Sequence, residues 1–257
     1  MGLLRALRSF LAVLAALFLL AVVSPTILYL YVIPRRILQP TRGQEFGVAW
    51  VSWNARMLVA LFRAGGAKIS VEGRIDSSVP GIIVMNHQSV LDIPPMIEVL
   101  GPRLPRFVAR SRYARFIPTV SQAIAFIDCI VVNPRRDRAG AVLALKKAAE
   151  ERRAPPVLLF PEGHRTRDGE IGQFRPAGTI ALLQAGPVPV WTVVVDGFWK
   201  LRRVVDSFFG LGRVRARIRV VECVMSPENP EDLADFVEAR RGVMIRELAR
   251  MRAEEAR

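Results

Sequence analysis

"GIIVMNHQSVLD", residues 81–92, decides how this chain is read. Ile82 to Met85 form an unbroken apolar run, opened by Gly81. Short apolar runs of this kind suit a strand buried on both faces, as inside a parallel sheet. The run ends abruptly in polar chemistry: an amide, an imidazole, a hydroxyl and a carboxylate before Asp92 is reached. The chain has 2 histidines, His87 and His164, so an imidazole at the end of a buried strand calls for a chemical reason.

Similar runs recur along the chain. "KISVEG" (68–73), "FIDCIVV" (126–132), "VLLFPEG" (157–163) and "VPVWTVVV" (188–195) read as strands. "VRARIRVVECV" (214–224) alternates from Val214 to Val220, which predicts a half-exposed edge strand. Between the strands lie helical patterns, Arg138 to Arg153 and Pro176 to Gly186, and a C-terminal one from Glu231 to Glu255. Pro opens the second and Gly closes it, as helices prefer. The third is acidic early and arginine-rich late, complementing a helix dipole. Strands alternating with helices predict an α/β fold, a mostly parallel sheet flanked by helices. Sites in such sheets lie at the carboxyl ends of strands. "MNHQSVLD" and "FPEGHRT" fall at two such ends.

The N-terminus reads differently. Phe10 to Ile33 carry no charge, and roughly 20 apolar residues suffice to enter or cross a bilayer core. Arg5 and Arg8 precede the segment and Arg35 and Arg36 follow it, so basic flanks give no sidedness. A cleaved signal peptide has an apolar core of roughly 7–15 residues and a small-residue cleavage site; this segment fits neither. Phe46 to Gly66 is also apolar, with Trp50, Trp53, Arg56 and Arg63, a mixture suited to the headgroup boundary. The alternative for this second helix is packing on the domain core. Pro34, Pro40 and Gly43 mark a turn between the two. We therefore expect an N-terminal membrane-associated helical hairpin over 1–66 and an α/β domain over 67–257.

Of 257 residues, 51% are hydrophobic, and the formal net charge is +14. Lys68, Lys146, Lys147 and Lys200 are the only lysines, so arginine supplies most of the charge. Guanidinium suits phosphate, and the excess points to an anionic partner without choosing one. Cys129 and Cys223 lie in apolar runs and read as buried reduced thiols. Neither they nor the histidines have metal-ligand spacing.

Positions five apart on one helix lie about 140° from each other. His87 and Asp92 meet only if His87 occupies the strand-to-helix turn and Asp92 the first helical turn. Ser89 then caps the helix, with Asp92 at capping-box spacing. Pro94 and Pro95 follow, so the helix start can equally be placed at Asp92, with the carboxylate merely a cap. In the first arrangement the carboxylate accepts Nδ1–H and leaves Nε2 to take a proton from a hydroxyl. No serine has nucleophile-elbow context, so that hydroxyl belongs to a substrate. In the second block, Pro161 and Gly163 shape a turn after Phe160. Arg165 and Arg167 project beside it, with Glu162 available to position one of them, forming an oxyanion or phosphate clamp. A solvated basic loop is the alternative.

His87-Gln-Ser-Val-Leu-Asp92 resembles the H-x-x-x-x-D motif of glycerolipid acyltransferases, and Phe160 to Arg165 is similar to their F-P-E-G-T-R motif, with His164 in place of threonine. Phe174-Arg175-Pro176-Ala177-Gly178 and Val188-Pro189-Val190 fall where that family has its basic segment and proline-containing strand. The resemblance covers Val71 to about Asp196, and the hairpin looks like the anchor of the bacterial lysophosphatidate acyltransferase branch. In the family's second motif, Phe126 and Ile127 are kept, but Cys129 stands where arginine is expected. Arg135, Arg136 or Arg110 is the candidate replacement.

The resemblance implies that His87, oriented by Asp92, deprotonates the hydroxyl of a lysophospholipid, most readily 1-acylglycerol-3-phosphate. The alkoxide attacks an acyl thioester of coenzyme A or acyl carrier protein. Glu162, Gly163, Arg165, Arg110 and Arg135 are the implied acceptor phosphate-binding residues. It implies no cofactor beyond that donor substrate, a phospholipid bilayer as partner and no nucleic acid. It places the chain at the cytoplasmic membrane with its catalytic domain on the cytoplasmic side. Other acceptors, glycerol-3-phosphate or an amino-acid lyso-lipid, remain open, as does a non-enzymatic basic module binding membranes or anions.

Overall fold

The computed structural model describes residues 2–101, 103–201 and 204–255. A 7-stranded sheet lies at its centre. Its strands are β1 (Lys68–Glu72), β2 (Ile82–Met85), β3 (Arg106–Arg110), β4 (Ile130–Val132), β5 (Val157–Leu159), β6 (Pro189–Asp196) and β7 (Arg215–Met225). Their order is β1-β7-β6-β2-β5-β3-β4, and only β6 and β7 pair antiparallel. The expected mostly parallel α/β sheet is therefore present. All of β2 is buried: Ile83 and Met85 enter the core on one face, Ile82 and Val84 the core on the other. Helices Arg138–Glu150, Pro176–Leu183 and Leu233–Glu255 cover that second face. β2 lies between β5 and β6, so both motif-bearing strand ends open onto one crevice.

Two strand expectations are corrected, and one strand, β3, is absent from the sequence reading. β7 is interior, between β1 and β6. Of its alternating arginines Arg215 is exposed, but Arg217 and Arg219 pair with Glu72 and with Glu254 of the C-terminal helix. The "FIDCIVV" strand shrinks to Ile130–Val132, because Phe126 ends the helix Val120–Phe126 and Asp128 takes φ 51°. β3 reads poorly as a strand in sequence because it begins and ends on arginine. Arg106 is buried with its Nε 3.1 Å from Asp128 and its Nη2 3.1 Å from Glu151.

The N-terminal segment is one helix, Gly2–Leu38, long and apolar enough by length and composition to cross a membrane. Proline lacks an N–H and crowds the carbonyl four residues back. The helix widens to π turns at Leu19–Val23, before Pro25, and at Leu28–Val32, before Pro34, a spacing that absorbs the missing bond. The second helix, Gly43–Ala64, folds back antiparallel to it. Arg8 Nη2 donates to Ala64 O at 2.9 Å, and Trp50 Nε1 donates to Ser24 O at 3.1 Å. Trp50, expected at the headgroup boundary, is 3% exposed and packs inside the hairpin against Leu28, Val32 and Phe126. A buried indole needs a partner for its N–H, and the Ser24 carbonyl supplies one.

The hairpin base merges with the α/β body. Ala12, Val13, Val59 and Phe62 share one core with Ile69, Leu211 and Ile218. Ser9 Oγ donates to Gly65 O at 3.2 Å and accepts from Gly212 N at 3.1 Å. The opposite stripe of the first helix, including Leu4, Leu7, Leu11, Leu14, Phe18 and Leu30, is exposed.

Candidate active site

The turn after β2 is built from side chains that replace lost ladder bonds. Asn86 Nδ2 donates to Val195 O at 2.9 Å and Asn86 Oδ1 accepts from Val195 N at 2.8 Å, locking the end of β2 to β6. Ser89, in extended conformation, caps a single 3₁₀ turn, Val90–Asp92, in a complete capping box. The cap at Ser89 is therefore realised, rather than a start at Asp92.

This turn brings the sequence-predicted pair together. His87 Nδ1 lies 2.9 Å from Asp92 Oδ2. The same oxygen accepts from Gln88 N at 2.7 Å and Ser89 N at 2.8 Å. Asp92 is fully buried, so its carboxylate is a fixed acceptor that selects the Nδ1–H tautomer. The His87 ring stacks on Phe160, centroids 3.9 Å apart and planes 19° apart. Its side chain is 17% exposed, and among the described residues Nε2 has no hydrogen-bond partner. An imidazole held by its rear nitrogen and a stacked ring presents the other nitrogen to the crevice.

The second block grips the first. Thr166 N donates to His87 O at 2.8 Å, and His87 N donates to Glu162 Oε1 at 2.9 Å. Glu162 Oε2 accepts from Gly172 N at 3.0 Å. Glu162 is 1% exposed. Burial pushes its pKa up, while the backbone N–H groups of His87 and Gly172 pull it back. This corrects two expectations. Glu162 positions peptide groups rather than an arginine, and a buried carboxylate spent on backbone donors does not bind an acceptor phosphate.

Gly163 sits at φ 69°, a backbone state glycine adopts without strain. Its carbonyl accepts from Arg110 Nη2 at the end of β3. Burial is the main cause that lowers the Arg110 pKa, followed by repulsion from Arg112, Arg135 and Arg175. A Cβ on Gly163 would meet Arg175 Cδ at 3.3 Å. Arg110 and Arg175 thus meet at this turn, an arrangement suited to an anion. The predicted Gly163 and Arg110 come together here, Arg135 is near enough to repel Arg110, and Arg165 lies in the same loop, partly exposed. His164 and Arg167 are exposed. Arg112 and Arg175 were not read as site residues. Arg175 could have been found from Pro176, which opens a helix and so pins the preceding residue at its cap.

Cys129 supplies no substitute charge, because a thiol is never a cation; burial, which raises its pKa to about 12, keeps it neutral. Cys223 is exposed, contrary to expectation; it lies opposite Trp191 near the end of β7.

Residues 68–196 match the family model described as Acyltransferase. A chloroplastic 1-acyl-sn-glycerol-3-phosphate acyltransferase of Brassica napus is 30% identical over 132 residues, 51% of this chain and 37% of that protein. The beta form of the enzyme so named in Homo sapiens is 28% identical over 146 residues, 56% of this chain and 51% of that protein. A bacterial protein of the same name, from Helicobacter pylori, is 31% identical over 116 residues, 45% of this chain and 47% of that protein. The chain therefore spans about half or less of these curated relatives. In fold it is similar to the crystal structure of the 1-acyl-sn-glycerophosphate acyltransferase PlsC from Thermotoga maritima. The TM-score is 0.72 at 21% identity, covering 97% of this chain and 98% of that one.

Proposed function

The chain belongs to the acyltransferase family, and from that premise we propose that it moves the acyl group of an acyl thioester onto the free hydroxyl of 1-acylglycerol-3-phosphate, giving phosphatidic acid. The observation that carries the reading is the 2.9 Å contact between His87 Nδ1 and the buried Asp92 carboxylate, with Nε2 left to the crevice. Nε2 takes the proton of the acceptor hydroxyl, and Asp92 stabilises the imidazolium. The alkoxide attacks the thioester carbonyl, and the tetrahedral adduct collapses with release of thiolate. His87 then returns its proton to the leaving sulfur. Arg110, Arg135 and Arg165 hold the acceptor phosphate beside the Gly163 carbonyl. The relatives' names, which specify 1-acyl-sn-glycerol-3-phosphate, favour this acceptor.

Residues 1–66 act as the membrane anchor and 67–257 as the acyltransferase domain. The chain works at the cytoplasmic membrane, on its cytoplasmic side, with coenzyme A or acyl carrier protein bearing the donor acyl group. The first helix packs on the protein at Ser9 and Ala12 and again at Leu28 and Val32. A helix covered along that length lies in the interface with its exposed leucine stripe in lipid. A lysolipid can then keep its chain in the bilayer while its headgroup enters the crevice. The test is incubation of the purified chain with labelled acyl thioester and a panel of acceptors: lysophosphatidate, glycerol-3-phosphate and an amino-acid lyso-lipid. Labelled phosphatidic acid from lysophosphatidate, lost in His87→Ala, supports the reading; transfer that survives His87→Ala ends it.

A further inference from the structure

The C-terminal helix Leu233–Glu255 carries neither motif block, yet its last turn holds groups bonded to the first block and to the loop after the second. Arg252 Nε donates to Asp196 Oδ2 at 2.9 Å, and Arg252 Nη2 donates to Asp196 Oδ1 at 3.3 Å and to Gly169 O at 2.8 Å. Its remaining nitrogen pairs with Glu170. One guanidinium therefore joins the end of β6 to the loop that follows the second motif.

From there two routes run to His87. Asp196 Oδ1 also accepts from Gln88 Nε2 at 3.0 Å. Gln88 Oε1 accepts from Phe198 N at 3.0 Å and Trp199 N at 3.2 Å, so this fully buried side chain is held at both ends. Its backbone N–H is one of the donors that fix Asp92. On the second route, Gly169 N donates to Thr166 Oγ1 at 3.2 Å, and Thr166 N donates to His87 O at 2.8 Å. The loop cannot easily slide, since a Cβ on Gly169 would meet the Trp199 indole at 2.8 Å.

We propose that Arg252 is a positioning residue for His87, setting the imidazole through Asp196–Gln88 on one side and Gly169–Thr166 on the other. Surface ion pairs usually contribute little to stability. This guanidinium differs in serving three acceptor groups at once, one of them the nearly buried Asp196. Lysine, a point charge on a flexible stem, cannot span the same fork. Base catalysis depends on where the imidazole stands, and a misplacement of about 1 Å can cost about 100-fold in rate.

The kinetic arm of the test rests on the acyl-transfer reading; a spectroscopic arm does not. His87 and His164 are the only histidines, so ¹⁵N-histidine labelling of the full chain in detergent reports two imidazoles. For Arg252→Ala we expect kcat per folded molecule to fall about tenfold or more, with KM for both substrates within about twofold. The His87 ring-nitrogen signals should move while those of His164 stay. Arg252→Lys should fall between wild type and alanine. If Arg252→Ala does not fold, Arg252→Lys and Asp196→Asn carry the same readings. Unchanged His87 signals with unchanged kcat per folded molecule overturn the proposal, as does a rise in KM alone. If the wild-type chain transfers no acyl group, that reading falls, and the His87 signals alone decide the role of Arg252.

Discussion

The backbone N–H of His87 donates to Glu162 Oε1 at 2.9 Å, across 75 positions of sequence. His87 and the second motif are thus one mechanical unit. Glu162 gives one oxygen to His87 N and the other to Gly172 N. In Glu162→Gln an amide NH₂ must face one of those donors while the amide oxygen keeps the other, whereas Glu162→Ala leaves both unpaired. Each buried donor left unpaired should cost about 1–3 kcal/mol, so both variants lose stability and alanine loses more. Thermal unfolding in detergent checks this. A glutamine variant as stable as wild type would mean that the carboxylate geometry is not needed.

Asp92 is expected to act through tautomer and orientation. Asp92→Asn should lower kcat by about 10²–10⁴-fold, and His87→Ala by at least as much. Neither touches the leucine stripe of the first helix, so vesicle flotation should be unchanged. Acyl transfer and flotation measured on the same preparation separate a damaged base from a lost anchor.

Much of this arrangement is legible in the sequence because buried parallel strands are written as apolar runs. β2, β5 and β6 are such runs, and the motif at the end of β2 carries its own cap in Ser89 and Asp92. What escapes is whatever depends on partners distant in sequence. Arg106 makes β3 look solvent-facing until Asp128 and Glu151 are brought beside it. Arg217 and Arg219 make β7 look like an edge until the C-terminal helix roofs them with Glu247 and Glu254. Glu162 looks like an arginine partner because the backbone donors that consume it belong to other loops. Trp50 and Arg252 escape for the same reason: their partners, Ser24 and Asp196, are fixed by tertiary packing alone.

Arg110 and Arg165 should behave as binding groups. Losing a hydrogen bond to a charged group costs about 1.5–3 kcal/mol, so each alanine substitution should raise KM for lysophosphatidate by about tenfold or more. KM for the thioester should move little. Steady-state kinetics with each substrate varied in turn decides this, and a change confined to the thioester would remove the phosphate role.

The hairpin can be probed at Trp50. Trp50→Phe keeps most of the packing and deletes only the donor to Ser24 O, so it should cost about 1 kcal/mol. Trp50→Ala also opens a cavity among Leu28, Val32 and Phe126 and should cost about 3–5 kcal/mol. Near-equal values from calorimetry in detergent would show that the indole N–H, not the ring, holds the two helices.

Cys129 gives a pH signature with a definite sign. Its thiol is raised from the ordinary 9.0 to about 12, burial being the first cause. The folded state therefore disfavours the thiolate relative to the unfolded chain. Its contribution to stability is complete below pH 9 and is lost as pH climbs from 9 toward 12, because only the unfolded chain gives up its proton in that interval. Three units correspond to at most about 4 kcal/mol. Cys129→Ala should start lower in stability at pH 7, from the lost side chain, but decline less steeply above pH 9. Urea unfolding at pH 8, 9 and 10 on the wild type and on Cys129→Ala measures the two slopes. A thiol reagent gives a second reading at pH 8: the exposed Cys223 should label readily in the native state, and the half-buried Cys129, held as the thiol, much more slowly. Parallel slopes together with rapid labelling of both thiols would place Cys129 in water rather than among the side chains beneath β3 and β4.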